Sequence, residues 1–190
     1  MHRDPLLAQL AGYRRRYPGE GSCVDRFEDF VRQHPDCFER SCVPGHITAS
    51  SWILSAEGSR FLLTHHRKLG RWLQLGGHAD GETDVRAVAL REAREESGLS
   101  DFEVVPDASG LDVLDLDIHR IPPHGRDPEH FHYDVRFLFC AAVDHPVIAS
   151  DESHEVRWFD PGESGDVLSE ESLRRLMRKS SARLDTGQAG

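Results

Sequence analysis

Hydrophobic side chains recur along the chain with two spacings, one of three to four residues and one of two residues. The longer spacing predicts helices, and the alternation predicts half-buried strands. Two N-terminal helices are predicted over 5–17 and 23–34, ending at Pro18-Gly19 and at Pro35. Strands are predicted over 47–55, 60–65, 72–75, 102–105, 111–121, 131–143 and 155–159, and a C-terminal helix over 169–184.

A further helix, predicted between Asp84 and Gly98, becomes acidic on its apolar side. Thr83 or Asp84 is expected to cap its start, and Gly98 to end it in the left-handed conformation. At about 100° per residue, three glutamates fall in the half of the helical wheel that carries the apolar side chains. The apolar residues are Val85, Val88, Ala89 and Ala93, and the glutamates are Glu92, Glu95 and Glu96.

This row of carboxylates is unfavourable without a positive partner. Glu92 and Glu96 are like charges one turn apart near the negative end of the helix, and facing a sheet would cost them solvation. Arg91 can reach Glu95 one turn later and orient it. Oxygen-rich, multiply charged sites suit hard divalent cations, so the pattern predicts a site for Mg²⁺ or Mn²⁺. The alternative is an acidic helix face in solvent.

Composition sets limits on the class of protein. A length of 190 residues suits one domain, and 38% hydrophobic with 29% charged residues is typical of a soluble protein. The net charge of -10 argues against a nucleic-acid or anionic-membrane partner. The chain has no apolar run of membrane-spanning length. Four cysteines without a Cys-x-x-Cys pair favour free thiols and a cytoplasmic location, with a zinc site at Cys37 and Cys42 as the alternative.

The segment from Gly77 through Arg91-Glu92-Ala93-x-Glu95-Glu96-x-Gly98-Leu99 resembles the Nudix box of the Nudix hydrolases. It departs from the family pattern at Glu82, which lies one place early and leaves Thr83 in the usual glutamate position. The predicted elements and the resemblance both favour an α/β fold, an α/β/α sandwich with a mixed sheet. Residues 1–40 are expected to form an extra N-terminal helical segment that packs on a Nudix hydrolase domain over 41–190.

The resemblance also implies roles for residues in and near the box. The metal would be held by Glu92, Glu95, Glu96 and the Gly76 carbonyl, with Arg91 orienting the acids. A loop before Trp158 would supply a further ligand or the general base, and Glu152 is the first candidate there. Glu155 is the second candidate, and a solvated acidic loop is the alternative.

A row of polar side chains lies on the predicted strand 131–143 and just before it. His130, His132 and Asp134 share one face because side chains alternate along a strand. The two histidines could bind a metal or contact substrate phosphate. We favour substrate contact, because the helix carboxylates already offer a magnesium site. The alternative is a polar sheet face that is exposed or covered by a loop.

The predicted function is metal-dependent hydrolysis of a pyrophosphate linkage in a small nucleoside diphosphate-linked substrate. Either Glu95 or Glu152 would act as the base. A diphosphate isomerase is a rival, although such enzymes use a catalytic cysteine and an altered box. A ligand sensor without turnover is the other rival. A homodimer contact through the N-terminal helices is left open.

Overall fold

One mixed sheet of eight strands lies at the centre of the computed structural model, which describes residues 2–123, 125, 128–143, 146–151, 153–163, 165 and 167–187. The strands are β1 (Gly45–Leu54), β2 (Phe61–His66), β3 (Arg71–Leu73), β4 (Leu75–His78), β5 (Phe102–Val104), β6 (Val113–Ile121), β7 (His130–Ala141) and β8 (Ser153–Phe159). The helices are α1 (Asp4–Arg16), α2 (Gly21–Gln33), α3 (Val85–Ser97) and α4 (Glu171–Gly187). Short 3₁₀ turns cover Pro18–Glu20 and Pro161–Glu163.

The sheet is built around β1. The strand order is β3-β2-β1-β7-β5, while β4 pairs with β1, β6 with β7 and β8 with β2. β1 runs parallel to β7, and the other pairs are antiparallel. All ten residues of β1 are buried, as expected for a strand covered on both faces.

Alternating side chains of the strands feed two hydrophobic cores. Ile47, Ala49 and Ile53 of β1 join the core that contains α1, α2 and α3. Trp52 and Leu54 of the same strand join the core that contains α4. The two cores therefore lie on opposite faces of the sheet, which confirms the predicted mixed sheet between helical layers.

The N-terminal helices pack on the sheet, as the sequence predicts. Phe30 of α2 stacks on Tyr133 of β7 with a ring-centroid distance of 3.9 Å and an interplanar angle of 3°. At the other end, the Lys179 ammonium of α4 donates to Glu20 and to the Tyr13 hydroxyl of α1. These contacts join both N-terminal helices to the rest of the chain.

The predicted strand 72–75 is two strands in the structure. β3 pairs with β2, whereas β4 pairs with β1 and continues through Gly76 and Gly77, beyond the predicted strand end at residue 75. Gly76 lies directly opposite Ser50, and a Cβ on it would fall 2.4 Å from the Ser50 Cβ. The glycine therefore serves close strand pairing here rather than a turn.

Two further features bear on the sequence predictions. In the described part of the chain, no helix is both long and apolar enough to cross a membrane. No disulfide bond links Cys23, Cys37, Cys42 and Cys140.

Phe30→Ala is expected to lower the free energy of unfolding by about 3–5 kcal/mol, because it removes a buried ring and leaves a cavity beside Tyr133. Denaturant unfolding followed by circular dichroism measures the change. Asp29→Ala, on the exposed side of the same helix, is the control and should stay within about 0.5 kcal/mol of the wild type. A Phe30→Ala change as small as that of the control would contradict the packing of α2 on the sheet.

Candidate active site

α3 has well-defined ends. The Asp84 carboxylate accepts hydrogen bonds from the backbone N–H groups of Arg86 (3.1 Å) and Ala87 (3.2 Å), so Asp84 rather than Thr83 is the N-cap. Gly98 ends the helix with φ at 72°, and its N–H donates to the Arg94 carbonyl. These ends fix which side chains face the sheet.

The three glutamates of α3 differ in exposure. Glu96 is 7% exposed and the Glu92 side chain 17%, whereas Glu95 lies on the exposed side of the helix. Of the three glutamates predicted to share the apolar side of the helix, Glu92 and Glu96 face the sheet, whereas Glu95 faces solvent.

Glu92 lies against the backbone of β4. A Cβ on Gly77 would fall 2.5 Å from the Glu92 carboxyl carbon, so only a glycine leaves room for this carboxylate. Arg91 donates to the Glu92 carboxylate at 2.7 Å and to the His78 carbonyl at 2.8 Å. The hydrogen bond to Glu92 raises the pKa of Arg91. The acid that Arg91 hydrogen-bonds is thus its neighbour Glu92, not Glu95 as the helix spacing suggested.

Glu96 lies against the same strand. Its Oε2 accepts the backbone N–H of Gly76 at 3.1 Å. Three of the four predicted metal-binding residues, Gly76, Glu92 and Glu96, are therefore brought together where α3 packs on β4. The fourth residue, Glu95, lies on the exposed side of the helix. A set of carboxylates with a backbone carbonyl offers only hard oxygen donors, and this set fits Mg²⁺ or Mn²⁺.

The loop before β8 is only partly described. Glu152 lies outside the described residues. Glu155, the second candidate, is exposed on β8 opposite His65, with its carboxylate 4.0 Å from Arg157.

His130 and His132 lie in a group of five histidines, which we call the histidine cluster. Its members are His46 of β1, His78 of β4, His119 of β6, and His130 and His132 of β7. Strand pairing aligns them, because His132 is opposite both His46 and His119. The ring centroids of His78 lie 5.0 Å from those of His46 and His132. Sequence reasoning missed His46 and His78, although the alternation His46-x-Thr48-x-Ser50 was a signal.

The histidine cluster is on the sheet face opposite α3. Gly77 and His78 are adjacent in β4, so Gly77 faces Glu92 while the His78 side chain points to the other face. One sheet thickness therefore separates the histidine cluster from the glutamates of α3. Substrate contact by His130 and His132 stays a prediction.

Burial makes the inner histidines neutral. Burial, followed by the positive charges that His78 and His130 would carry, lowers the pKa of His46 to about 4. The same two effects, with His119 as the first neighbour, hold the pKa of His132 far below its usual range. At pH 7 these rings carry no charge.

A buried ionic network continues from the histidine cluster along the same face. It contains three carboxylates, Asp115, Asp117 and Asp134, and three cations, Arg136, Arg175 and Lys179. Burial alone would raise the pKa of Asp115, but the hydrogen bond from Arg175 and the nearby cations lower it. Each of these carboxylates has a cationic partner, so the network can stay buried.

Comparison with known sequences identifies the family. The NUDIX domain model matches residues 44–183, more than half of the chain. The chain belongs to the Nudix family. It is a Nudix-type pyrophosphohydrolase, and enzymes of this family generally use divalent metal ions. No curated protein sequence matches the chain.

Solved structures show the same Nudix fold. A C. elegans Ap4A hydrolase in a binary complex has a TM-score of 0.57 at 19% identity, covering 73% of this chain and 97% of that one. The E. coli dihydroneopterin triphosphate pyrophosphohydrolase has a TM-score of 0.55 at 14% identity, covering 70% and 92%. A MutT protein from Methanosarcina mazei Go1 has a TM-score of 0.51 at 19% identity, covering 72% and 93%.

Gly77→Ala is expected to lower the kcat of the Nudix enzyme by about 100-fold, because the new Cβ displaces the Glu92 carboxylate by a sizeable fraction of an ångström or more. Steady-state hydrolysis measures this change, and thermal unfolding checks that the protein stays folded. Gly162→Ala is the matched control, because a Cβ there meets nothing within 4 Å. An unchanged kcat in Gly77→Ala would show that the placement of Glu92 against β4 does not matter.

Proposed function

We propose that this Nudix enzyme hydrolyses a pyrophosphate linkage in a small, nucleoside diphosphate-linked substrate with the help of Mg²⁺ or Mn²⁺. The carrying observation is the convergence of Glu92 and Glu96 on the Gly76-Gly77 backbone. Two structures of similar fold are named as an Ap4A hydrolase and a dihydroneopterin triphosphate pyrophosphohydrolase, and these names support a nucleotide-type substrate.

The metal ligands in this proposal are Glu92, Glu95, Glu96 and the Gly76 carbonyl. A divalent cation bound there would neutralise charge that grows on the phosphate oxygens and make an attacking water more acidic. Arg91 holds Glu92 in place through its hydrogen bonds to that carboxylate and to the His78 carbonyl. Glu95 is exposed, so its carboxylate is accessible to a water molecule and a substrate.

The general base is Glu95 or Glu152 in this proposal. It must take the proton of the attacking water, and both carboxylates are candidates on sequence grounds. Glu152 could alternatively complete the metal site. Glu155 is the less favoured acid.

We propose that His130 and His132 contact the substrate from the histidine cluster. Their rings lie on the sheet face that also carries Asp134 and Arg136, and this polar face suits a ligand with hydrogen-bonding groups. Imidazole nitrogens can donate or accept hydrogen bonds with phosphate oxygens and with other polar groups of a ligand.

Three broader proposals complete the assignment. Residues 1–40 form a helical extension and residues 41–190 the hydrolase domain, which agrees with a family match that begins at residue 44. The lack of disulfide bonds among the four cysteines supports a cytoplasmic enzyme. The net charge of -10 supports a small-molecule partner rather than nucleic acid or a membrane, and a homodimer stays open.

The isomerase alternative is not favoured by the state of the thiols. Burial raises the pKa of Cys23 and Cys37 to about 11 and that of Cys42 to about 12. A reactive cysteine needs a lowered pKa. The ligand-sensor alternative is decided by measured turnover alone.

Chelation by EDTA should abolish hydrolysis, and Mg²⁺ or Mn²⁺ should restore it. Glu95→Gln and Glu96→Gln should each lower kcat at least about 100-fold, because each removes a charge that binds the cation. The substrate panel is nucleoside triphosphates, dinucleoside polyphosphates, ADP-ribose, NADH and coenzyme A, with products separated by chromatography.

The matched control is Glu103→Gln, since Glu103 is an exposed glutamate on β5, away from α3. It should leave kcat unchanged. The amide of Glu96→Gln can still accept the Gly76 N–H, so the variant should remain folded. Full activity in EDTA would contradict metal dependence, and no turnover of any substrate would favour the ligand sensor.

Glu152→Gln should reduce kcat far more than Glu155→Gln, because only the first is proposed to act as the base or as a ligand. The two variants make the same chemical change three residues apart and control for each other. Their kcat values at saturating Mg²⁺ are the measurement. Equal and small effects would assign both glutamates to a solvated loop.

A further inference from the structure

The histidine cluster has the geometry of a metal site, and this site would be separate from the one proposed at the carboxylates of α3. One ring nitrogen from each of His46, His130 and His132 lies within 4.8 Å of the others. Nε2 of His130 and Nε2 of His132 are 3.3 Å apart. Two imidazole ligands of a tetrahedral Zn²⁺, each about 2.0–2.1 Å from the ion, have their nitrogens about 3.4 Å apart. These two rings therefore already stand at the separation of paired ligands.

His46 supplies a second, independent observation. It is 3% exposed, and neither of its ring nitrogens has a hydrogen-bond partner among the described residues. A buried polar atom without a partner is energetically unfavourable. The ring stacks beside that of His130, with centroids 5.0 Å apart, and an ion bound by nitrogens of both rings would take up a lone pair of His46.

Hydrogen bonds orient the neighbouring rings so that a ring nitrogen is available to a metal ion. Nδ1 of His130 lies 2.8 Å from the Pro128 carbonyl, which can only accept, so Nδ1 carries the proton. The lone pair of His130 is therefore on Nε2, the atom that faces His132. In metal sites, a ligand histidine commonly donates its other N–H to a carbonyl or carboxylate in this way. His119 next to His132 has the same arrangement, with Nδ1 3.3 Å from the Asp117 carboxylate.

We propose that His46, His130 and His132 bind a transition metal ion of the Zn²⁺ class, with the fourth position open to water, His78 or His119. Imidazole nitrogens suit Zn²⁺, Co²⁺, Ni²⁺ and Cu²⁺, whereas Mg²⁺ prefers oxygen. This site is distinct from the carboxylate site, because the two lie on opposite faces of the sheet. It does not depend on the proposed function. A cation there is compatible with substrate contact, since it would supply the positive charge that neutral rings lack.

Cobalt and zinc titrations of the untagged protein test the proposal. Co²⁺ should give the visible absorption bands of a tetrahedral site at one equivalent, and Zn²⁺ should displace them. The signal should persist in a Glu92→Gln/Glu96→Gln double variant, whose carboxylate site is removed. Calorimetry with Zn²⁺ should show an affinity at least about 100-fold weaker in His130→Ala, because loss of a ligand costs more than loss of a group that only orients one.

Two control variants separate this site from other metal-binding groups. His2→Ala removes an exposed histidine outside the cluster. Cys42→Ser disrupts the second group with metal-ligand spacing, which consists of His34, Asp36 and Cys42. Both should bind Co²⁺ and Zn²⁺ like the wild type.

His130→Ala is the primary test, because this ring is half-buried at the start of β7 and the variant should fold. His46→Ala is the second variant, checked by circular dichroism. No tetrahedral Co²⁺ band in the wild type would overturn the proposal. A band that survives His130→Ala, or one lost in the Glu92→Gln/Glu96→Gln variant, would overturn it as well and leave direct substrate contact as the role of these rings.

Discussion

β1 and β7 run side by side in parallel over ten residue pairs, from Gly45 opposite Phe131 to Leu54 opposite Cys140. This pairing fixes which side chains reach each face of the sheet. A Cβ on Gly45 would lie 2.3 Å from the Phe131 carbonyl oxygen, so the close approach at the start of the pair requires a glycine. Odd-numbered residues of β1 face α3, and even-numbered ones face the side of α4. The glutamates of α3 lie on one face of the sheet, and the histidine cluster and the ionic network lie on the other.

On the side of α4, apolar, charged and histidine side chains occupy successive zones along β7. Apolar residues under α4 give way along β7 to Arg136, then to Asp134, and then to His132 and His130 at the start of the strand. Arg175 and Lys179 extend from α4 to Asp115 and form ion pairs with it. Removing one partner of such a buried set leaves an uncompensated charge, which costs about 3–5 kcal/mol. The network therefore holds β6, β7 and α4 in one arrangement.

The two candidate ion sites differ in chemistry because they are built on different faces. On the α3 side, carboxylates near the negative end of the helix meet a glycine backbone, and their oxygen atoms suit a hard cation. On the other side, the nitrogen atoms of the imidazole rings suit a softer ion. Adjacent residues of β4, Gly77 and His78, belong to one site each. The period of two in a β-strand is what separates them.

The sequence by itself determined the local features of the fold and of the Nudix box. A cap at Thr83 or Asp84, the left-handed Gly98, the spacing of the glutamates and the alternation of His130 with His132 all follow from short-range rules. These rules identified the Nudix box and the individual helices and strands, because each depends on neighbours within a few residues.

Only the tertiary structure decided which of these groups meet. Arg91 hydrogen-bonds Glu92 because the missing side chain of Gly77 lets that carboxylate reach β4. Pairing with β1 extends β4 through Gly76 and Gly77, beyond the predicted strand end at residue 75. His46 joined His132 through a register set 86 residues apart in the chain. Such pairing depends on how whole strands fit together, and no local spacing in the sequence encodes it.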